Sequence, residues 1–180
     1  MEHRFAFCKV TWLPKYRGEP HVETRFRNIQ DGEGGEAYLF KPLKGACFGY
    51  VHLGRTDPED DDTIRSINLR QFDKHNRSKS INGIHIIWIA ARLDGPGVCV
   101  VGEYQNATVY ARQEPELPTR PFGWNISAKK SDVRFIPEPD RKTLEDVPLR
   151  QGNLWYAKGA KDQVVRKQAL TDLKRLATEI

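Results

Sequence analysis

The stretch GIHIIWIAA (residues 83–91) is apolar on both faces of an extended chain, and LDGPG (93–97) leads from it into VCVVGEY (98–104). A strand that is apolar whichever way its side chains point needs cover on both sides, so it belongs in the middle of a sheet. Asp-Gly-Pro-Gly between two such runs predicts a hairpin. Whatever else this chain does, it has to build a sheet around residues 83–112.

Other segments supply shorter strands. RFAFCKVTW (4–12) alternates, with Ala6, Cys8, Val10 and Trp12 on its more apolar face. AYLFKP (37–42), after the turn-rich loop DGEGGE (31–36), and ACFGYVH (46–52) read as strands. SINLRQF (66–72) suits a short helix or strand, while DVRFIP (132–137) and LWYA (154–157) are weaker strands in a proline-rich, charged stretch. Prolines at 115, 118 and 121 end the sheet beyond ATVYAR (107–112). The last segment, KDQVVRKQALTDLKRLATEI, places Val165, Ala169, Leu173, Leu176 and Ile180 on one helical face and predicts a helix to the final residue. The expectation is a mainly β (α+β) chain: a curved sheet or small β-barrel over 1–158, then a C-terminal α-helix over 159–180 that could lead into a further domain.

Composition narrows the function. With 38% hydrophobic and 29% charged residues in 180, the chain is globular rather than disordered. No apolar run approaches the roughly 18 residues of a membrane span, and no signal-peptide pattern opens the chain. Cys8, Cys47 and Cys99 have neither disulfide nor zinc spacing, which predicts a reduced, cytoplasmic protein. The formal net charge of +5 permits a polyanionic partner. Arg65, Arg70, Lys74, Arg77 and Lys79 form one candidate phosphate-binding group. Lys129 and Lys130, near Arg134, Arg141 and Lys142, form a second, and solvated loops explain either group equally well.

Catalytic patterns are few. Asp94 and Glu103 imitate the paired carboxylates of a metal-dependent nuclease, but Gln105 stands where such a site carries lysine, and the turn explains Asp94. The histidines are scattered without ligand spacing, and His85, on an apolar strand, reads as a satisfied core residue. No phosphate-cradling or nucleophile motif occurs, so neither a metal nor a cofactor is expected and the chain reads as a binding module. Aromatic residues are the richer signal: Trp12, Tyr50, Trp88, Tyr104, Tyr110 and Trp155 lie at strand ends or beside loops. Strict alternation would put Tyr104, Asn106, Thr108 and Tyr110 on one face. Rings and an amide together can hold an unstacked base, although the same rings can simply fill a small barrel.

Seven segments, FCKVTWLPKYRG, GACFGYVH, INL, IIWIAAR, VVGEYQNATVY, WNISA and GNLWYA, follow one another over about residues 4–157. In this order they resemble a bacterial family of N-terminal sensor domains of restriction and defence proteins. That family's motifs are of the type W-M-x-x-Y-x-G, V-G-W-Y-x-N-A-T-V-Y and S-N-V-W-Y, often ahead of an HNH or other nuclease domain. By analogy the family is similar to the PUA-like group of EVE, YTH and ASCH domains. The resemblance implies a DNA-binding module that flips a modified base, such as 5-methylcytosine, into an aromatic pocket. Carried over by position, it points to Trp12, Tyr16 and Gly18, to Tyr50 and Trp88, to Tyr104, Asn106 and Tyr110, and to Asn153, Trp155 and Tyr156. Glu103 stands where the family has tryptophan, and a carboxylate there could accept a base amino group. A nuclease using Asp94 and Glu103, an RNA ligand, and a protein-interaction module docking through Val165, Ala169, Leu173 and Leu176 are the alternatives.

Overall fold

A computed structural model describes residues 4–19, 35–54, 65–92, 95–115, 117, 123–145, 147, 152–176 and 178–179. The two apolar runs form the expected hairpin, β3 (Ser80–Ala91) and β4 (Val98–Glu114), paired antiparallel. Around it lie β1 (Phe5–Val10), β2 (Ala46–Gly49), β5 (Trp124–Lys129), β6 (Val133–Phe135), β7 (Thr143–Leu144) and β8 (Leu154–Trp155). The helix α1 (Ala160–Leu176) and a final short strand, β9 (Thr178–Glu179), complete the described elements. The fold is a mainly β mixed sheet with one C-terminal helix.

The sheet runs β2-β5-β4-β3-β1-β8 and stays open at both ends of that path. One edge of β4 faces β3, and its other edge is shared in sequence by β7, β6 and β5. β1 pairs parallel with β3, Phe5 opposite His85 and Cys8 opposite Trp88. Each face carries its own core. The inner one holds Trp88, Tyr104, Ile86, Phe40 and Tyr16, and the outer one holds Phe5, Phe7, Ile87, Ile89 and Val100 under α1.

Several sequence expectations change. AYLFKP is not a strand: Gly35–Tyr38 is a 3-10 helix, and the turn after it drops the adjacent Leu39 and Phe40 together into the inner core, which alternation cannot do. The helix stops at Leu176 instead of continuing to the last residue, and Thr178–Glu179 pairs with β6. Val165, Ala169 and Leu173, the face offered to a partner chain, are buried on this chain's own sheet, with Leu176 packed beside them. That face is therefore spent on folding.

The single candidate face of Tyr104, Asn106, Thr108 and Tyr110 is also broken. From Ile86↔Tyr104 to Ile84↔Ala107 the hairpin takes two steps on β3 but three on β4, which is a β-bulge. From Ile84↔Ala107 to Ile81↔Val109 the extra residue lies on β3 instead, so the two bulges offset and the register recovers. Left-handed backbone marks both places: Gly83 has φ of 73° and Asn106 has φ of 49°. Tyr104 consequently shares the inner face with Ala107 and Val109, while Thr108 and Tyr110 point to the opposite side. Thr108 Oγ1 donates to Asn82 Oδ1 at 2.8 Å, tying the two bulges together.

The positive φ makes a sharp stability test. Asn106→Gly should leave chemical-denaturation stability within about 0.5 kcal/mol, whereas β-branched Asn106→Val should cost about 1–2 kcal/mol. Equal stability of the two variants would mean that the bulge does not hold residue 106 in the left-handed region.

Candidate functional site

The offset bulges have a geometric consequence on the α1 side of the sheet. Register Ile87↔Glu103 turns the Glu103 side chain towards the helix, where it is only 2% exposed on a face that also carries the apolar cluster of Phe5, Ile87 and Leu173. His85 lies two residues away on the same face of β3, and its Nε2 meets Glu103 Oε2 in a short hydrogen bond. Gln105 Nε2 donates to Oε1 at 2.9 Å. On the other edge of β4, Arg134 of β6 stands opposite Glu103 and brings Nη1 to 3.6 Å from Oε1. Three side chains from three strands, His85 of β3, Gln105 of β4 and Arg134 of β6, thus converge on one carboxylate.

This group floors a cleft of about 330 Å³, near the small end for ligand sites. Gly83, Gln105 and Asn106 bring the bulges to its rim, and Leu170, Leu173 and Lys174 of α1 form the facing wall. At Gly83 a Cβ would meet nothing within 4 Å, so the space is real and the glycine helps keep it. Burial pushes the Glu103 carboxyl upward, but the His85 hydrogen bond and charge, the Gln105 amide and the Arg134 guanidinium outweigh it. The net effect holds Glu103 below the usual carboxylate range, as a buried anion. Phe5 meets the His85 ring edge-on at 5.5 Å, and the Arg166 guanidinium lies 4.2 Å over Phe5.

The aromatic residues singled out from the sequence do not share one pocket. Trp88 and Tyr104 are fully buried in the inner core, their rings 5.3 Å apart and T-shaped. Tyr104 donates its hydroxyl to Leu39 O, and Trp88 Nε1 finds no hydrogen-bond partner among the described residues. Trp155 stacks on Phe7 at 4.7 Å on the helix side of the sheet. Trp12 is held by Glu138, which accepts from its Nε1 at 3.0 Å, and by Arg141, 4.9 Å from its ring. Tyr50 is half-buried beside His52, and Tyr110 packs against Trp124. Asn106 alone of the expected base-contacting residues lines the cleft, together with Glu103.

Of the basic residues, Arg65, Arg70, Lys74, Arg77, Lys79, Lys129 and Lys130 are all exposed. Lys129 and Lys130 occupy the turn between Ser127, which pairs with Thr108, and Val133, which pairs with Tyr104, so they flank the Asn106 bulge. Arg141 is no surface cation: it is 8% exposed and donates to the carbonyls of Leu13, Pro14 and Ile136 at 2.7, 3.0 and 3.1 Å. Asp94 lies outside the described residues, and Glu103 has a histidine, an amide and a guanidinium around it in place of a second carboxylate. Among the described residues no three His, Cys, Asp or Glu side chains are grouped to hold a metal, and no helix is long and apolar enough to cross a membrane.

The contributions of His85, Arg134 and Lys174 went unseen in the sequence. For His85 a signal existed: once the hairpin is aligned, it falls diagonal to Glu103 on the same face. A scan against protein-family models and searches of curated proteins and solved structures returned no match. The function of this chain must come from the chemistry of its own site.

Because the folded state lowers the Glu103 pKa from its ordinary 4.5, the carboxylate stabilises the fold above that pH. This contribution fades as pH falls through 4.5 and then through the lower folded value. Glu103→Gln should therefore be less stable than wild type at pH 7, by about 1–3 kcal/mol, with the gap closing towards pH 3. Urea midpoints measured across that range check it; a gap constant with pH would mean that the carboxylate is not held ionised by its partners.

Proposed function

We propose that this chain is a nucleic-acid-binding specificity module of PUA-like architecture that recognises a modified DNA base. It would serve as the sensor of a modification-dependent restriction or anti-phage defence protein. The observation that carries this reading is the cleft between sheet and helix, where a buried carboxylate and two amides meet beside exposed cations. An extruded base enters that cleft rather than an aromatic cage built from Trp88 and Tyr104, because both rings are already committed to the core. Glu103 accepts from an exocyclic amino group, as carboxylates do from cytosine N4, and Asn106 at the rim contacts the remaining edge. Lys129 and Lys130 beside the bulge, with Arg70, Lys74, Arg77 and Lys79 further along the surface, hold phosphates and set the register. The resemblance to defence-associated sensor domains agrees with this use, and no bond-breaking step is assigned to the chain.

The test is binding of four duplexes, unmodified or carrying 5-methylcytosine, 5-hydroxymethylcytosine or N6-methyladenine, at two salt concentrations, with an RNA duplex as comparison. One modified DNA should bind best, with affinity falling steeply as salt rises. Glu103→Gln and Asn106→Gly, which keeps the left-handed backbone, should each reduce discrimination by about 1–3 kcal/mol. Equal affinity for all four DNAs would sink the modified-base reading, and preference for the RNA duplex would move the ligand class.

A further inference from the structure

The cleft is chemically polarised along its depth. At its floor sits Glu103, 2% exposed and acceptor-only once ionised. Towards solvent stand Arg134, 40% exposed, and the exposed Lys174 on α1. Lys174 makes no ion pair among the described residues, and the Arg134 head is offset from Glu103 by 3.6 Å, longer than a hydrogen bond. Among the described residues that line the cleft, two cations therefore face a single buried anion. An acceptor deep inside with an excess of positive charge at the mouth fits a ligand that carries donors at one end and an anion at the other.

We infer that the cleft holds a whole nucleotide, its amino-bearing base against Glu103 and Gln105 and its own phosphate between Arg134 and Lys174. This rests on the proposed base-recognition role of the cleft and extends it from the base to the phosphate that travels with it. Arg134 and Lys174 are a phosphate subsite distinct from the surface lysines, because they sit on the cleft itself and on two elements, β6 and α1, that close it from opposite sides. An extruded base brings its flanking phosphate with it, so a cation pair at the mouth selects the flipped-out nucleotide over a base still in the stack. Ligands lacking an amino group leave the Glu103 carboxylate facing a carbonyl, an arrangement that two acceptors disfavour.

The intact 180-residue chain is titrated calorimetrically with 2′-deoxycytidine 5′-monophosphate, 2′-deoxyadenosine 5′-monophosphate, thymidine 5′-monophosphate, 2′-deoxycytidine and inorganic phosphate. One or both amino-bearing monophosphates should bind at least about tenfold more tightly than deoxycytidine, the scale of one charge-assisted contact. Thymidine monophosphate and inorganic phosphate should trail. Lys174→Gln, at an exposed side chain, and Arg134→Gln, at a side chain 40% exposed, should each erase the advantage of nucleotide over nucleoside. Equal binding of deoxycytidine and its monophosphate, or an advantage that survives both substitutions, would overturn the phosphate subsite while leaving base recognition standing. If all three monophosphates and inorganic phosphate bind alike, the cleft is a bare anion site and base recognition there fails as well. If no mononucleotide binds, the phosphate subsite falls, and discrimination among the modified duplexes separately decides the base-recognition role.

Discussion

A strand buried on both faces has no water to satisfy its backbone, so β4 must find hydrogen-bond partners along both edges for most of its length. β3 serves one edge throughout, and three short strands, β7, β6 and β5, serve the other in turn. Handing the edge from one partner to the next requires the strand to bend, and a bulge is the way an antiparallel strand bends without losing its ladder. The site follows from that requirement. At the Asn106 bulge the strand changes partner from β6 to β5, and the turn bearing Lys129 and Lys130 fills the interval between them. Gly102 marks the neighbouring constraint: a Cβ there would collide with Arg134 O and the Phe40 ring, so β6 and the inner core approach β4 as closely as its backbone allows.

The Glu103 cluster is a poor device for stability. Burying a carboxylate against an imidazole, with a half-exposed guanidinium beside it, takes charge from water, and well-packed apolar side chains in its place are often as stable or more so. The surroundings would have accommodated such a solution, since Phe5, Ile87 and Leu173 already supply apolar area on this face. A carboxylate retained there, with one amide from its own strand and a cation from the next, makes better sense as a preorganised hydrogen-bonding surface. The space above it, kept open by Gly83, points the same way.

The hairpin and the helix were legible because each rests on local signals: unbroken apolar runs joined by Asp-Gly-Pro-Gly, and a 3.6-residue period through Val165, Ala169 and Leu173. The parallel pairing of β1 with β3 was not, because it joins Phe5 to the sequence-distant His85 and leaves no mark on either segment. The bulges escaped for a subtler reason. Alternation is a rule about a regular strand, and one extra residue at Asn106 reverses every later side chain, so Thr108 and Tyr110 exchanged faces with Ala107 and Val109. Arg141 was misjudged because charge alone suggests solvent; three carbonyls and the Trp12 ring make a buried place for it that only the tertiary fold supplies.

What the aromatic residues do in the core alters the kind of recognition the cleft can offer. With Trp88 and Tyr104 packed edge-to-face beneath Leu39 and Gly49, their stacking energy is already spent on the fold. A ligand beside α1 meets an imidazole and two leucines for apolar contact, and the rest of its surroundings are a carboxylate, two amides and two cations. Such a site draws little from sequence-tolerant stacking and much from matched donors and acceptors, where one mismatched group leaves a buried partner unpaired. On the proposed reading, discrimination by this cleft is governed by the hydrogen-bonding pattern of the ligand's edge. Glu103, its two oxygens held by His85, Gln105 and Arg134, is the group at the cleft floor that such an edge would meet.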